Sequence, residues 1–231
     1  MTFRLTMLLD NKAPRADLQT AWGFSALIEV GDQRVLFDTG WDGDQVLANA
    51  NTLGESLDDL DAIVLSHRHW DHAGGLARLL QVIQRTRRIF LPTDFSQRQS
   101  AEIARRVDEM ITVDDARVLL PGIASTGTLP SPGDAPGEQS LVLLGSEGPV
   151  VVSGCAHPGV GTILTAAETH FGPPRGLIGG LHGFDDLDRL AGLDLLVPSH
   201  CTQRTSEILA RYPAAHEGHV GLVIDDLPDP T

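Results

Sequence analysis

Between residues 67 and 72 the chain reads His67-Arg68-His69-Trp70-Asp71-His72, three imidazoles and a carboxylate within six residues. Neutral imidazole nitrogen and ionised carboxylate are standard zinc ligands, and iron and manganese accept them as well. Residues 61–66 (DAIVLS) form a short, mostly apolar, β-branched run of the buried-strand kind. Residues 73–85 space Leu76, Leu79, Leu80 and Ile83 as a helix does. The cluster is therefore expected in a strand-to-helix turn, where alternating side chains fan toward a common point. His67 and His69 could hold one ion while Asp71 and His72 reach a second. Gly74 and Gly75 let the backbone pass close to the site. Two plainer readings stand beside this one: a solvated polar loop, and a structural zinc site closed by four ligands. A catalytic site would instead leave a position for water.

Three further histidines follow runs that read as strands: His157 in SGCAHPG, His182 in IGGLH and His200 in VPSHC. Loops at the C-terminal ends of strands are where α/β architectures gather chemistry. His157 and His200 are expected as fifth and sixth ligands, and His182 as a further candidate. Cys155 lies two steps before His157 and shares its face on an extended chain. It is either a thiolate ligand or oxidation-sensitive thiol, or, the preferred reading, a small buried group packing under the site. Cys201, one step from His200, should face away. Arg68 and Trp70 project between the ligands. Either they line the pocket mouth, pairing with an anion and stacking on substrate, or they pack outside the turn.

The elements that must position these residues can be read along the chain. Strands are expected over 2–9, 23–30 and 33–38, the last two joined by Gly31-Asp32, a hairpin pair. A helix over 41–51 precedes the strand at 61–66 and the helix at 73–85. A strand over 89–92, a helix over 96–110 and extended structure over 116–128 follow. The Pro/Gly-rich stretch 130–137 is a surface loop. Beyond it the pattern repeats, with strands at 140–144, 150–153, 176–179, 193–198 and 219–224, and helices at 160–171, 184–191 and 202–212. Hairpin strands followed by strand-helix units in each half suit two sheets back to back with helices outside.

The chain has 231 residues, enough for one large domain or two small ones, and 42% are hydrophobic. Seventeen Lys and Arg against 31 Asp and Glu give a formal charge of −14, which disfavours nucleic acid held on a basic surface. No membrane-spanning run or cleavable leader is visible, so a cytoplasmic location is expected, with Cys155 and Cys201 reduced.

With Leu36-Phe37-Asp38-Thr39-Gly40 preceding Ser66-His67-Arg68-His69-Trp70-Asp71-His72, the chain resembles the metallo-β-lactamase-fold hydrolases. More narrowly it is similar to the branch named for 7,8-dihydropterin-6-yl-methyl-4-(β-D-ribofuranosyl)aminobenzene 5′-phosphate synthase, the dihydropteroate-synthase-like branch. Asp10-Asn11, Asn49-Ala50, Gly74-Gly75-Leu76, Gly154-Cys155-Ala156-His157, the IGGLH run and His200-Cys201-Thr202 carry that narrower match. The resemblance implies one αββα-sandwich domain over 1–231, with ligands at His67, His69, Asp71, His72, His157 and His200. Asp38 would orient the ligand imidazoles from behind. Many relatives end the penultimate core strand in a bridging aspartate. Here His182 would replace or flank it.

Taken together, the expected function is hydrolysis of a small-molecule ester, lactone, phosphoester or related, even pterin-related, substrate by a metal-bound hydroxide, with one or two zinc ions. Asp71 would hold the hydroxide and take its proton. His67, His69 and His157 would bind the first ion, and Asp71, His72 and His200 the second. The alternatives are an iron-dependent redox enzyme and a non-catalytic metal-binding protein on the same scaffold. A phosphate bound near Arg68, Arg175 or Arg204 would point to phosphate-bearing substrates.

Overall fold

The structure, a computed structural model, describes residues 2–83 and 85–225. The first half comprises β1 (Phe3–Leu9), β2 (Ser25–Val30), β3 (Gln33–Phe37), α1 (Gly43–Leu53), β4 (Asp59–Val64), α2 (Trp70–Ala73), α3 (Leu76–Val82), β5 (Arg85–Pro92), α4 (Gln97–Ala104) and β6 (Glu109–Val113). The second comprises β7 (Asp115–Leu120), β8 (Ile123–Gly127), β9 (Leu141–Gly145), β10 (Gly148–Ser153), α5 (Val160–Phe171), β11 (Gly176–Gly180), β12 (Leu195–Ser199), α6 (Thr205–Arg211) and β13 (Val223–Asp225). One sheet has the order β13-β1-β2-β3-β4-β5-β6 and the other β12-β11-β10-β9-β8-β7. Each is antiparallel where hairpins build it and parallel where helices connect its strands.

Side-chain alternation makes the layers. In β3, Val35 and Phe37 join the core between the sheets while Leu36 packs outward with Val46 and Leu79. In β10, Val150 and Val152 face the first sheet and Val151 packs under α5 with Ile163 and Ala167. A one-residue slip in either strand would exchange these faces, so register is strongly fixed. The result is the expected αββα sandwich. The β2–β3 hairpin pairs Val30 with Gln33 around Gly31, whose φ of 57° suits the turn foreseen there.

Several elements differ from the expectation. The helix expected over 73–85 is shortened to α3: Ala73 ends the short α2, Gly74-Gly75 part the two, Arg85 already opens β5, and residue 84 lies outside the described residues. A Cβ on Gly75 would sit 2.1 Å from the Thr39 carbonyl oxygen and 2.8 Å from the Gly43 amide, so the ligand turn lies directly on the β3–α1 backbone. The helix over 96–110 stops at Ala104, and Met110 pairs with Ile89 in the sheet instead. Its apolar spacing served a strand edge as well as a helix face. The extended stretch 116–128 is the β7–β8 hairpin. Only a 3₁₀ turn, Leu187–Leu190, occupies the expected helix at 184–191. Thr202, expected to open the last helix, donates its hydroxyl to the Ser199 carbonyl and accepts from the Leu181 amide, and α6 begins at Thr205. No helix among the described residues is long and apolar enough to cross a membrane.

Candidate metal centre

Two groups of donor atoms meet where strands of both sheets end. His67, His69 and His157 form one; Asp71, His72, Cys155 and His200 form the other. Within each group the ligand atoms lie within 4.8 Å of one another. In the first, His67 Nε2 is 3.1 Å from His69 Nδ1, and the His157 ring stands 4.6 Å from that of His67. In the second, His72 Nε2 is 3.2 Å from both His200 Nε2 and Cys155 Sγ, and His200 Nε2 is 3.3 Å from Asp71 Oδ2.

Acceptors behind the rings decide what those inward nitrogens are. His72 Nδ1 donates to Asp38 Oδ2 at 2.7 Å. The same carboxylate accepts the Ser66 amide and hydroxyl, which leaves Ser66 Oγ to accept from His67 Nδ1 at 2.9 Å. His157 Nδ1 donates to Glu138 Oε2 at 3.0 Å, and His200 Nδ1 to Asn11 Oδ1 at 3.1 Å. With Nδ1–H engaged in all four rings, each Nε2 carries a lone pair. Bare lone pairs facing each other across 3.2 Å repel unless a cation sits among them. The donor chemistry therefore fits a metal, with its tautomers set in advance.

Electrostatics points the same way. Burial, and then the neighbouring His200, push His72 down to about 3, and burial lowers His67 well below the usual range, so both rings are in the neutral, ligating form. Burial opposes ionisation of Asp71, yet the contact with His200 at 3.3 Å outweighs it and holds the carboxyl below the ordinary range. For Glu138, burial is likewise outweighed, chiefly by the His157 hydrogen bond. Burial pushes the Asp38 carboxyl up, with Glu138 and Asp71 adding to it. A bound cation would favour its ionised form.

Glu138, which the sequence did not single out, is the anchor of the second half's loop. Its Oε1 accepts the amides of Gly154, Cys155 and Ala156, and its Oε2 accepts that of His157. Asp10 and Asn11 do the same for His200: Asp10 Oδ2 accepts its amide and Asn11 Nδ2 donates to its carbonyl. The non-glycine residues with left-handed φ among those described are Asp38 (58°), Ala156 (59°), His182 (47°) and His200 (47°), all at this edge. Such strain persists where surrounding bonds over-determine the backbone.

Other expectations fare unevenly. His182 stands outside both donor groups; it is exposed, its ring 5.5 Å from that of His157. Cys155 is buried but turns its sulfur toward His72 rather than only packing under the site. Cys201 faces the Cys155 carbonyl oxygen at 3.8 Å and joins neither group. Arg68 is exposed and forms no ion pair among the described residues. Trp70 is 75% exposed and packs against Trp41. Arg204 is bound to Glu207, and Arg175 precedes β11 at the end away from the donors, beside Asp194. Trp22, whose ring lies 5.0 Å from that of His200, gave no sequence signal.

This chain belongs to the metallo-beta-lactamase superfamily, which its residues 23–200 match. It is similar to the 7,8-dihydropterin-6-methyl-4-(beta-D-ribofuranosyl)-aminobenzene-5'-phosphate synthase of Methanocaldococcus jannaschii. The two are 25% identical over 78% of this chain and 80% of that protein. Among solved structures, Tm1679, a metal-dependent hydrolase of the beta-lactamase superfamily, superposes with a TM-score of 0.75 at 25% identity, covering 96% of this chain and 98% of that one. The metallo-beta-lactamase fold protein YhfI from Bacillus subtilis gives a TM-score of 0.70 at 17% identity, over 97% and 100% of the two chains.

Proposed function

We propose that this chain is a metal-dependent hydrolase of a small-molecule ester, lactone or phosphoester, with zinc as its resident ion. One observation carries the reading: His67, His72, His157 and His200 each have Nδ1 tied to an acceptor and Nε2 turned into one of two adjoining donor groups. Divalent ions bound there would lower the pKa of a coordinated water toward about 7 and polarise a scissile carbonyl or phosphoryl oxygen. Imidazole-rich sets favour zinc over manganese.

The chain's own residues supply the remainder. Asp71, held ionised, accepts a hydrogen bond from the attacking water and orients it. Its low proton affinity makes it a weaker choice for retaining the proton. Asp38, Glu138 and Asn11 fix ring orientation and raise the basicity of the imidazoles they hold. A cleft of about 400 Å³ opens beside His157, lined by Pro132, Ala135, Leu181, His182 and Phe184. That size suits a small molecule. His182 lines this cleft and would contact substrate there. Burial, and next the neighbouring His157, lower its pKa. Trp22, Trp41 and Trp70, each more than half exposed, stand around the centre, offering flat apolar faces. Together with the exposed cation of Arg68 they suit a substrate with a planar ring and an anionic group. The likeness to a synthase of an aminobenzene phosphate agrees with that chemistry.

Stripping the protein with a chelator, reloading it with zinc and assaying lactone, phosphomonoester, phosphodiester and thioester panels tests the proposal. Turnover should appear only after reloading and disappear in Asp71→Asn and His157→Ala. Turnover indifferent to metal removal, or no metal retained after reloading, would overturn it.

A further inference from the structure

We propose that Cys155 is itself a metal ligand, so that the Asp71/His72/His200 group holds its ion with four protein donors while the His67/His69/His157 group holds its own with three. The inference rests on the metal-centre reading above and assigns its asymmetry. Cys155 is 3% exposed, its Sγ lies 3.2 Å from His72 Nε2, and it shares the donor group of Asp71, His72 and His200. Its position is not incidental to packing. The Cys155 amide is bound by the Glu138 carboxylate that also fixes His157, so one anchor sets the sulfur and the imidazole together. A Cβ on Gly154 would fall 2.2 Å from Ser66 Oγ, so the loop lies directly against the end of β4 and delivers the thiol to the ligands there. No carboxylate competes from β11. A Cβ on Gly180 would meet the Gly154 carbonyl oxygen at 2.4 Å and Cys201 Sγ at 2.7 Å, so no side chain fits at that strand end.

On binding, the ion replaces the thiol proton, which leaves to solvent. Four protein donors close a tetrahedral site, whereas three leave a position for an exchangeable ligand. The position open to substrate is thereby placed at the three-imidazole group, whose His157 also lines the cleft. A thiolate further biases the closed group toward zinc, iron or cobalt and away from manganese.

The chain has two cysteines, which makes the test clean. Protein loaded with cobalt(II) should show a near-ultraviolet sulfur-to-cobalt charge-transfer band in wild type and Cys201→Ser, and none in Cys155→Ser. X-ray absorption of the zinc form should show a sulfur scatterer at about 2.3 Å. Bound metal with no sulfur signal overturns the Cys155 assignment and leaves the hydrolase reading standing, as does a band lost in Cys201→Ser. Failure to bind any metal removes the centre itself. Should Cys155→Ser not fold, wild type and Cys201→Ser decide the matter between them.

Discussion

Each inward imidazole is only as good a ligand as the acceptor behind it. Glu138 binds four backbone amides and one ring nitrogen, all donors, so Glu138→Gln must turn an NH₂ toward at least one of them. We expect affinity at the three-imidazole group to fall about 10–100-fold, measured by competition with a chromogenic chelator. Unchanged affinity would contradict the anchoring role. Asp10 gives a pH signature. Burial pushes its carboxyl up to about 6 against the His200 and Lys12 amides that favour ionisation. Between 3.8 and about 6 the folded chain keeps a proton that the unfolded chain releases, so Asp10's contribution to stability declines as pH rises through that window. In metal-free protein, Asp10→Asn should therefore gain on wild type by up to roughly 2–3 kcal/mol, read by urea denaturation across that range. A pH-independent gap would refute this. The donor residues were legible because five histidines and an aspartate at strand ends are conspicuous in themselves. Glu138 was not, and Asp10 and Asn11 entered only through the family match with no role assigned, because their partners lie far along the chain: 16–19 residues for Glu138, and 189 or 190 for the other two.

At the scale of elements, two-residue alternation made most strands readable, and α5 spans the residues its apolar spacing marks out. Legibility failed where a pattern served two structures equally. Val107 and Met110 continue the apolar face of α4, but pairing with β5 claimed Met110. The glycines of the ligand turn carry the firmest expectation at this scale. Gly75→Ala places a methyl group 2.1 Å from a backbone carbonyl that α1 and β3 hold in place. It should cost about 1–3 kcal/mol of unfolding free energy, by denaturant titration. Gly54→Ala, where a Cβ meets nothing within 4 Å but φ is 77°, should cost about 1–2 kcal/mol through backbone strain alone. Equal metal affinity in the two variants would show that Gly75 does not set the ligand turn.

Across the whole molecule, each donor group draws on both sheets: His67 and His69 with His157, and Asp71 and His72 with Cys155 and His200. Bound ions would thus tie the two halves together. Metal binding only to the folded state should raise stability by about 4 kcal/mol at a thousandfold excess over Kd, seen as a higher Tm that chelator reverses. A Tm indifferent to metal would deny that link. The acidic surface, at −14 overall, enriches cations around the chain without specifying which is kept. Anomalous diffraction from zinc-loaded crystals tests the central claim most directly. Two peaks are predicted, one bonded to His67, His69 and His157 and one to Asp71, His72 and His200, at about 2.0–2.2 Å from their nitrogen and oxygen atoms. A zinc peak elsewhere, or none at either group, would contradict the account.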